Sequence, residues 1–170
     1  AYGYGQYALA LAAKDEGKTV TLFYPDQENN TDIFYKTSAL PNVTTHIVRN
    51  CSKQSEVVQH AEEYANSNGA YLFPIGFNMP VFLEELIAIA KSIDVNPHEV
   101  WVLGGSGTLA RALCAAWPQA QINVVDLGMG YGDMGRGKVY KAPEMPEEKA
   151  KVPPPYPSAE YYDAKIWQFA

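Results

Sequence analysis

Cysteine is scarce. Cys51 and Cys114 are the only two in 170 residues, too few and too far apart for a disulfide framework or a metal knuckle. Such usage suits a reducing compartment, and the cytoplasm is the expected location. Basic charge is scarce as well. Thirteen Lys and Arg against nineteen Asp and Glu leave a net charge of −6, the wrong sign for a protein whose main partner is a phosphate backbone, so nucleic acid is not expected as a ligand. No apolar run approaches the roughly 20 residues of a membrane span, and no basic segment followed by an apolar core opens the chain, so no membrane partner is expected. His46, His60 and His98 stand far apart and join no cysteine cluster, so no metal is expected either. Apolar residues, by contrast, make up 47% of the chain and aromatics 12%. That is ample for the core of one ordinary domain, and it excludes disorder, collagen and coiled coil as descriptions of the whole.

Charge and proline are unevenly spread. Residues 1–135 carry seven basic and fourteen acidic side chains, whereas residues 136–170 carry six and five. Six of the twelve prolines, Pro143, Pro146, Pro153, Pro154, Pro155 and Pro157, also fall in the second stretch. They disfavour regular helix and central strand, so residues 136–170 are expected to form an extended arm following an α/β phosphate-binding domain over residues 1–135. Tyr156, Tyr161, Tyr162, Trp167 and Phe169 make that arm too aromatic for a disordered tail. It should dock, on its own body or on a neighbouring subunit, and a homo-oligomer is expected.

Ahead of the arm, helical and strand patterns alternate. Helices are expected over Gln6–Glu16, Thr31–Leu40, Lys53–Asn68, Pro80–Ile93 and Thr108–Trp117, and strands over Thr19–Tyr24, Val43–Val48, Ala70–Phe73, Glu99–Leu103 and Ile122–Leu127. Strands alternating with such helices imply an α/β fold built on a parallel sheet of four or five strands, flanked by helices.

Ligands of parallel sheets bind where loops leave the carboxyl ends of strands. One such loop is Gly104-Gly105-Ser106-Gly107-Thr108, between the strand Glu99–Leu103 and the next helix. Glycine lets backbone amides converge on an anion, Ser106 and Thr108 add hydroxyls, and the helix start adds partial positive charge, so the loop reads as a phosphate cradle. A Walker loop is excluded, because Gly107 occupies the place of its lysine. A dinucleotide fingerprint is excluded by the glycine spacing, and a phosphoribosyl-diphosphate loop by the lack of paired acidic residues on the preceding strand. A second glycine-rich stretch, Tyr2-Gly3-Tyr4-Gly5-Gln6, opens the first helix, where a carboxylate or phosphate could sit. In Leu127-Gly128-Met129-Gly130-Tyr131-Gly132-Asp133-Met134-Gly135-Arg136-Gly137, five glycines give freedom for Arg136 to close as a lid on such an anion.

Gly5-Gln6 with Ala8 to Lys14, then Gly17 and the strand Thr19 to Pro25, resembles the helix and strand after the substrate-carboxylate loop of the fold-type II pyridoxal-phosphate enzymes. That group includes threonine synthase, cysteine synthase and aminocyclopropane-carboxylate deaminase. Glu99 to Leu103 with Gly104 to Thr108 and Leu109-Ala110-Arg111-Ala112-Leu113 resembles the group's glycine loop for the cofactor phosphate, and Leu72-Phe73-Pro74-Ile75-Gly76-Phe77 falls where its members carry a loop leading to a helix. The order and spacing agree over about residues 1–127. The resemblance implies pyridoxal 5'-phosphate as cofactor, held by Gly104, Gly105, Ser106, Gly107 and Thr108. A small amino-acid-like ligand would be met by Gly3, Tyr4, Gly5, Gln6 and Arg136, and the reaction would be elimination, replacement or deamination.

Two positions depart from the family. Gly3 stands where it carries an Asn that contacts the cofactor ring, and the segment bearing its Schiff-base lysine lies N-terminal to anything in residues 1–170. The chain, which opens inside a glycine-rich stretch without Met, therefore reads as entering the fold part-way, with that lysine supplied from outside. Within the chain, Lys165, among Tyr161, Tyr162 and Trp167, is the one lysine whose surroundings could desolvate its amine as a Schiff-base lysine needs, although the expected role is a lysine paired with Asp163 or Glu160 on a docked terminal helix. Other readings are a catalytically degenerate binding or assembly module of the same fold, with the arm wrapping a neighbour, and a phosphosugar- or nucleotide-binding protein.

Overall fold

A computed structural model describes residues 4–26, 30–51, 54–128 and 132–170. The chain divides into two compact units, Ala1–Phe73 and Pro74–Ala170, so the shift in charge and proline at residue 135 falls inside the second of them.

The first unit alternates α1 (Gly5–Asp15), β1 (Val20–Pro25), α2 (Asp32–Ser38), β2 (Val43–Val48) and α3 (Gln54–Asn68). Helix α1 ends because Gly17 takes a left-handed φ of 65°, which lets the Lys18 amide turn back to the Ala13 carbonyl at 2.7 Å. Strands β1 and β2 pair in parallel, Val20 opposite Val43 through Pro25 opposite Val48. Asn42, just before β2, donates to the Ala10 carbonyl at 2.9 Å and ties the strand to α1. Period-two alternation splits the side chains between the faces. Leu22, Tyr24 and Phe34 form the core on one, while Phe23, His46 and Tyr64 gather their rings on the other.

Residues 70–73, expected as a strand, join no ladder. Tyr71 is 71% exposed, and its ring lies 4.9 Å from that of Phe73. Their composition favours an extended chain, but a strand is made by a ladder of hydrogen bonds to a neighbouring strand, and residues 70–73 are in none of the sheets of the described residues.

The second unit opens with a 3-10 turn, Ile75–Phe77, and continues through α4 (Pro80–Ser92), β3 (Glu99–Gly104), α5 (Thr108–Ala116), β4 (Gln121–Asp126), β5 (Lys138–Lys141) and a 3-10 helix, Asp163–Gln168. The strands lie in the order β3-β4-β5, all parallel. Among the described residues five strands thus form two sheets, of two and three strands, where a single sheet of four or five was expected. A parallel sheet must be covered on both faces. Val102, Ile122 and Val124 point to α5 with Ala110, Leu113 and Trp117. Leu103, Val125 and Leu127 point the other way, where Ala142, Tyr162, Ile166 and Phe169 cover them. Residues 136–170 are therefore more than an extended arm: they supply an edge strand ahead of the first proline and a terminal 3-10 helix, and they complete the core of their own unit. Among the described residues no helix is long and apolar enough to cross a membrane.

Candidate functional site

The glycine loop leaves the carboxyl end of β3 and enters α5, at the place where parallel sheets hold ligands. Its three glycines do different things. Gly104 is buried, and a side chain there would meet Val124 Cγ1 at 2.5 Å and the Met134 side chain at 2.9 Å, so its glycine serves packing. Gly107 takes φ 79° as the residue capping α5, and a Cβ there would run into the Asp133 carbonyl; it serves both the turn and a close backbone crossing. Gly105 is open. Its φ is not positive, and the nearest atom to a side chain built there is the Tyr162 hydroxyl oxygen, at 3.9 Å.

The remaining walls are set by the chain itself. Ser106 turns its side chain onto Gly76, while Gly132 lies against the backbone of Ser106 and Gly107. The Ser106 and Thr108 hydroxyls are 3.1 Å apart, and the Thr108 amide donates to Ser106 Oγ at 3.4 Å. No acidic side chain stands in the first turn of α5, so the partial positive charge of the helix start is unopposed there. Two hydroxyls, a helix start and, among the described residues, room for a side-chain atom at Gly105 together suit a phosphate, and the residues present fit that group.

Tyr162 is the neighbour that the sequence did not point to. Burial raises its phenol above the ordinary tyrosine value, and the adjacent Asp163 carboxylate adds to the rise, so at neutral pH it is a hydrogen-bond donor. Nothing in the spacing linked residue 162 to residue 105; the aromatic density of the arm was the only hint that it docks.

Arg136 belongs to the opposite end of the sheet. Its guanidinium donates to the Ala120 and Trp117 carbonyls, both at 2.8 Å, at the exit of α5 and the entry to β4. A lid closing on the glycine loop was expected. Instead both nitrogen donors tie down the turn through the Ala120 and Trp117 carbonyls, and the part of that segment which does reach the loop is Gly132, Asp133 and Met134.

Lys165 is fully buried, with Nζ donating to the Met145 carbonyl at 2.7 Å. Burial lowers its pKa, against the opposing pull of the Glu144, Glu148 and Glu147 carboxylates. The expected partners are engaged elsewhere: Glu160 pairs with Lys149 at 2.6 Å, and Asp163 accepts from the Ala159 amide at 2.8 Å. The amine is buried against the Met145 carbonyl rather than paired with either expected carboxylate, and it is sealed from a cofactor aldehyde in this conformation. Nearby Glu144, also buried, accepts from Gln168 and from the Lys151 amide. Burial pushes its carboxyl up, but these bonds, its own amide and the Lys151 charge outweigh that and hold it below the usual carboxylate range.

Of the other stretch, Gly3 lies outside the described residues. Tyr4 caps α1 without a side-chain hydrogen bond, no acidic residue occupies the first turn, and Gly5 follows it exposed with Gln6 half-buried. These belong to the first unit, whereas the glycine loop, Arg136 and Lys165 belong to the second. Among the described residues no three His, Cys, Asp or Glu side chains group so as to hold a metal ion.

No family model matches the chain, and no curated protein sequence matches it. Among solved structures, the processed form of threonine deaminase isoform 2 from Solanum lycopersicum is similar, with a TM-score of 0.57 at 20% identity. The likeness is one of fold. It covers 74% of this chain and 37% of that one, so the chain spans little more than a third of the length of its structural neighbour. That neighbour agrees with the α/β architecture expected from the resemblance to fold-type II enzymes.

Proposed function

We propose that the chain is the phosphate-holding part of a pyridoxal-phosphate-dependent enzyme that acts on a small amino acid by elimination, replacement or deamination. The single observation that carries the reading is the glycine loop itself, where a side chain at Gly105 would meet nothing among the described residues closer than the Tyr162 hydroxyl and the Ser106 and Thr108 hydroxyls follow at the start of α5, in a chain whose fold is similar to that of a threonine deaminase.

In this reading the amides of Gly105 and Ser106 and the hydroxyls of Ser106 and Thr108 hold the cofactor phosphate, while Gly104 and Gly107 shape the loop that presents them. Pyridoxal phosphate, when bound, supplies an electron sink for a carbanion at the amino-acid α-carbon. Tyr4, Gly5 and Gln6 meet the carboxylate of the amino acid through the unopposed amides of the α1 start. The Schiff-base lysine comes from outside residues 1–170, since Lys165 is committed to Met145. The working enzyme is a cytoplasmic homo-oligomer.

The test is a titration of the chain with pyridoxal 5'-phosphate and, separately, with pyridoxal, followed by borohydride reduction and mass mapping. Binding that requires the phosphate, with no stable label on Lys165, is the expected result. Equal binding of the two compounds would count against the phosphate loop, and a reduced adduct on Lys165 would reverse the assignment of that lysine.

A further inference from the structure

We infer that the anion on the glycine loop sits over Gly105 and that the Tyr162 hydroxyl donates a hydrogen bond to it, making Tyr162 a ligand-binding residue delivered by the C-terminal segment. This rests on the phosphate reading of the loop and adds a residue and a position to it.

The position follows from elimination among the three glycines. Space at Gly104 is taken by Val124 and Met134, and space at Gly107 by the Asp133 carbonyl; among the described residues, Gly105 alone of the three has room. The boundary of that room is Tyr162 Oη. This hydroxyl has no hydrogen-bond partner within the described residues, and it is absent from the sealed, unpartnered groups of the interior. A tyrosine whose ring is packed and whose hydroxyl is left unspent at the rim of an anion cradle is placed to donate.

Its placement is held from several sides. The ring packs with Ile166 and Phe169 over Leu103, Val125 and Leu127, and Leu103 leads directly into the loop. The Tyr162 amide donates to the Ala159 carbonyl at 2.9 Å, and its carbonyl accepts from the Lys165 amide at 3.1 Å. Lys165 to Met145 and Gln168 to Glu144 then pin the same short helix to residues 144–145. The buried lysine acquires a role here as an anchor of the segment that carries Tyr162.

The test uses the whole chain and pyridoxine 5'-phosphate, which has no aldehyde and forms no Schiff base, against pyridoxine, with affinities read by calorimetry. The parent chain should prefer the phosphate ester. Tyr162→Phe should weaken that ester about tenfold, the scale of one hydrogen bond to a charged acceptor, and leave pyridoxine unchanged. Gly105→Ala tests the same geometry from the other side: the methyl meets nothing closer than the Tyr162 hydroxyl, so the chain should melt as the parent does yet lose the phosphate preference. Tyr156→Phe, on an exposed ring against Trp167, is the control and should bind as the parent. If the parent shows no phosphate preference, the loop reading and this inference both fall. If the parent shows it and either Tyr162→Phe or Gly105→Ala retains it in full, the Tyr162 assignment alone is overturned.

Discussion

The Lys165 amine and the Met145 carbonyl meet at 2.7 Å in the interior of the second unit, with the buried Glu144 beside them. The pair fastens the chain's last 3-10 helix to the turn that follows β5. Replacing Lys165 by Ala removes the donor and the packed stem while leaving the carboxylate in place, so stability should fall by about 3 kcal/mol. Urea unfolding of the variant beside the parent measures it. A loss under about 0.5 kcal/mol would mean the contact is incidental.

Glu144 should contribute to the acid limb of stability. Its folded pKa lies below the ordinary carboxylate value, so its contribution is fully present above that ordinary value and is lost as the pH falls through the lower folded one. Glu144→Gln should therefore flatten the acid limb of a stability-against-pH curve while costing stability at neutral pH. A variant with the parent's acid limb would exclude Glu144 as its source.

Tyr24 should contribute to the alkaline limb of stability. It is 3% exposed, its hydroxyl has no partner, and burial raises its pKa to about 12. A folded pKa above the unfolded value favours the fold fully below pH 10, and that advantage is lost as the pH climbs from about 10 towards 12. Tyr24→Phe deletes an unsatisfied buried hydroxyl without changing the ring contact to Phe34 at 4.8 Å. It should raise stability at pH 7 by about 1 kcal/mol and reduce the alkaline loss. Chemical denaturation at pH 7 and pH 11 separates these effects, and a destabilised variant at pH 7 would show that the hydroxyl is satisfied in solution.

Arg136 and Gly107 divide anchoring from binding. Arg136→Ala removes the guanidinium bonds to the Trp117 and Ala120 carbonyls, the first of which keeps the Ala120 amide, and should cost about 2 kcal/mol, with the preference for a phosphate ester unchanged. Gly107→Ala forces a side chain into a left-handed residue against the Asp133 backbone and should cost more, about 3 kcal/mol or above. Thermal melts with parallel calorimetry decide both. A drop in phosphate preference for Arg136→Ala at intact stability would restore it as a ligand-facing residue.

Much of this was legible in the chain because local rules governed it. The five helices and four of the five strands follow from 3.6-residue and two-residue periodicity, with boundaries fixed by Gly17, Pro25 and Pro80. The glycine loop was legible by composition and by its place after β3. What escaped depends on distant partners. Residues 70–73 have strand chemistry and no ladder, whereas Lys138–Lys141 has little apolar content and becomes a strand because β4 offers it an edge. Tyr162 escaped for the same reason, since only the docking of the terminal segment brings it to Gly105. Arg136 was misread because a glycine-rich stretch looks free, although Asp133 fixes its turn through the Gly135 amide at 2.8 Å.

The cover of the second sheet face has a consequence for synthesis. Leu103, Val125 and Leu127 leave the ribosome well before Tyr162, Ile166 and Phe169, so the growing chain passes through a stage with α5 seated on one face of the sheet and bare hydrocarbon on the other. During that interval the unit is a half-closed sandwich, vulnerable to association with its own copies. The glycine loop acquires its finished rim only when the interval ends.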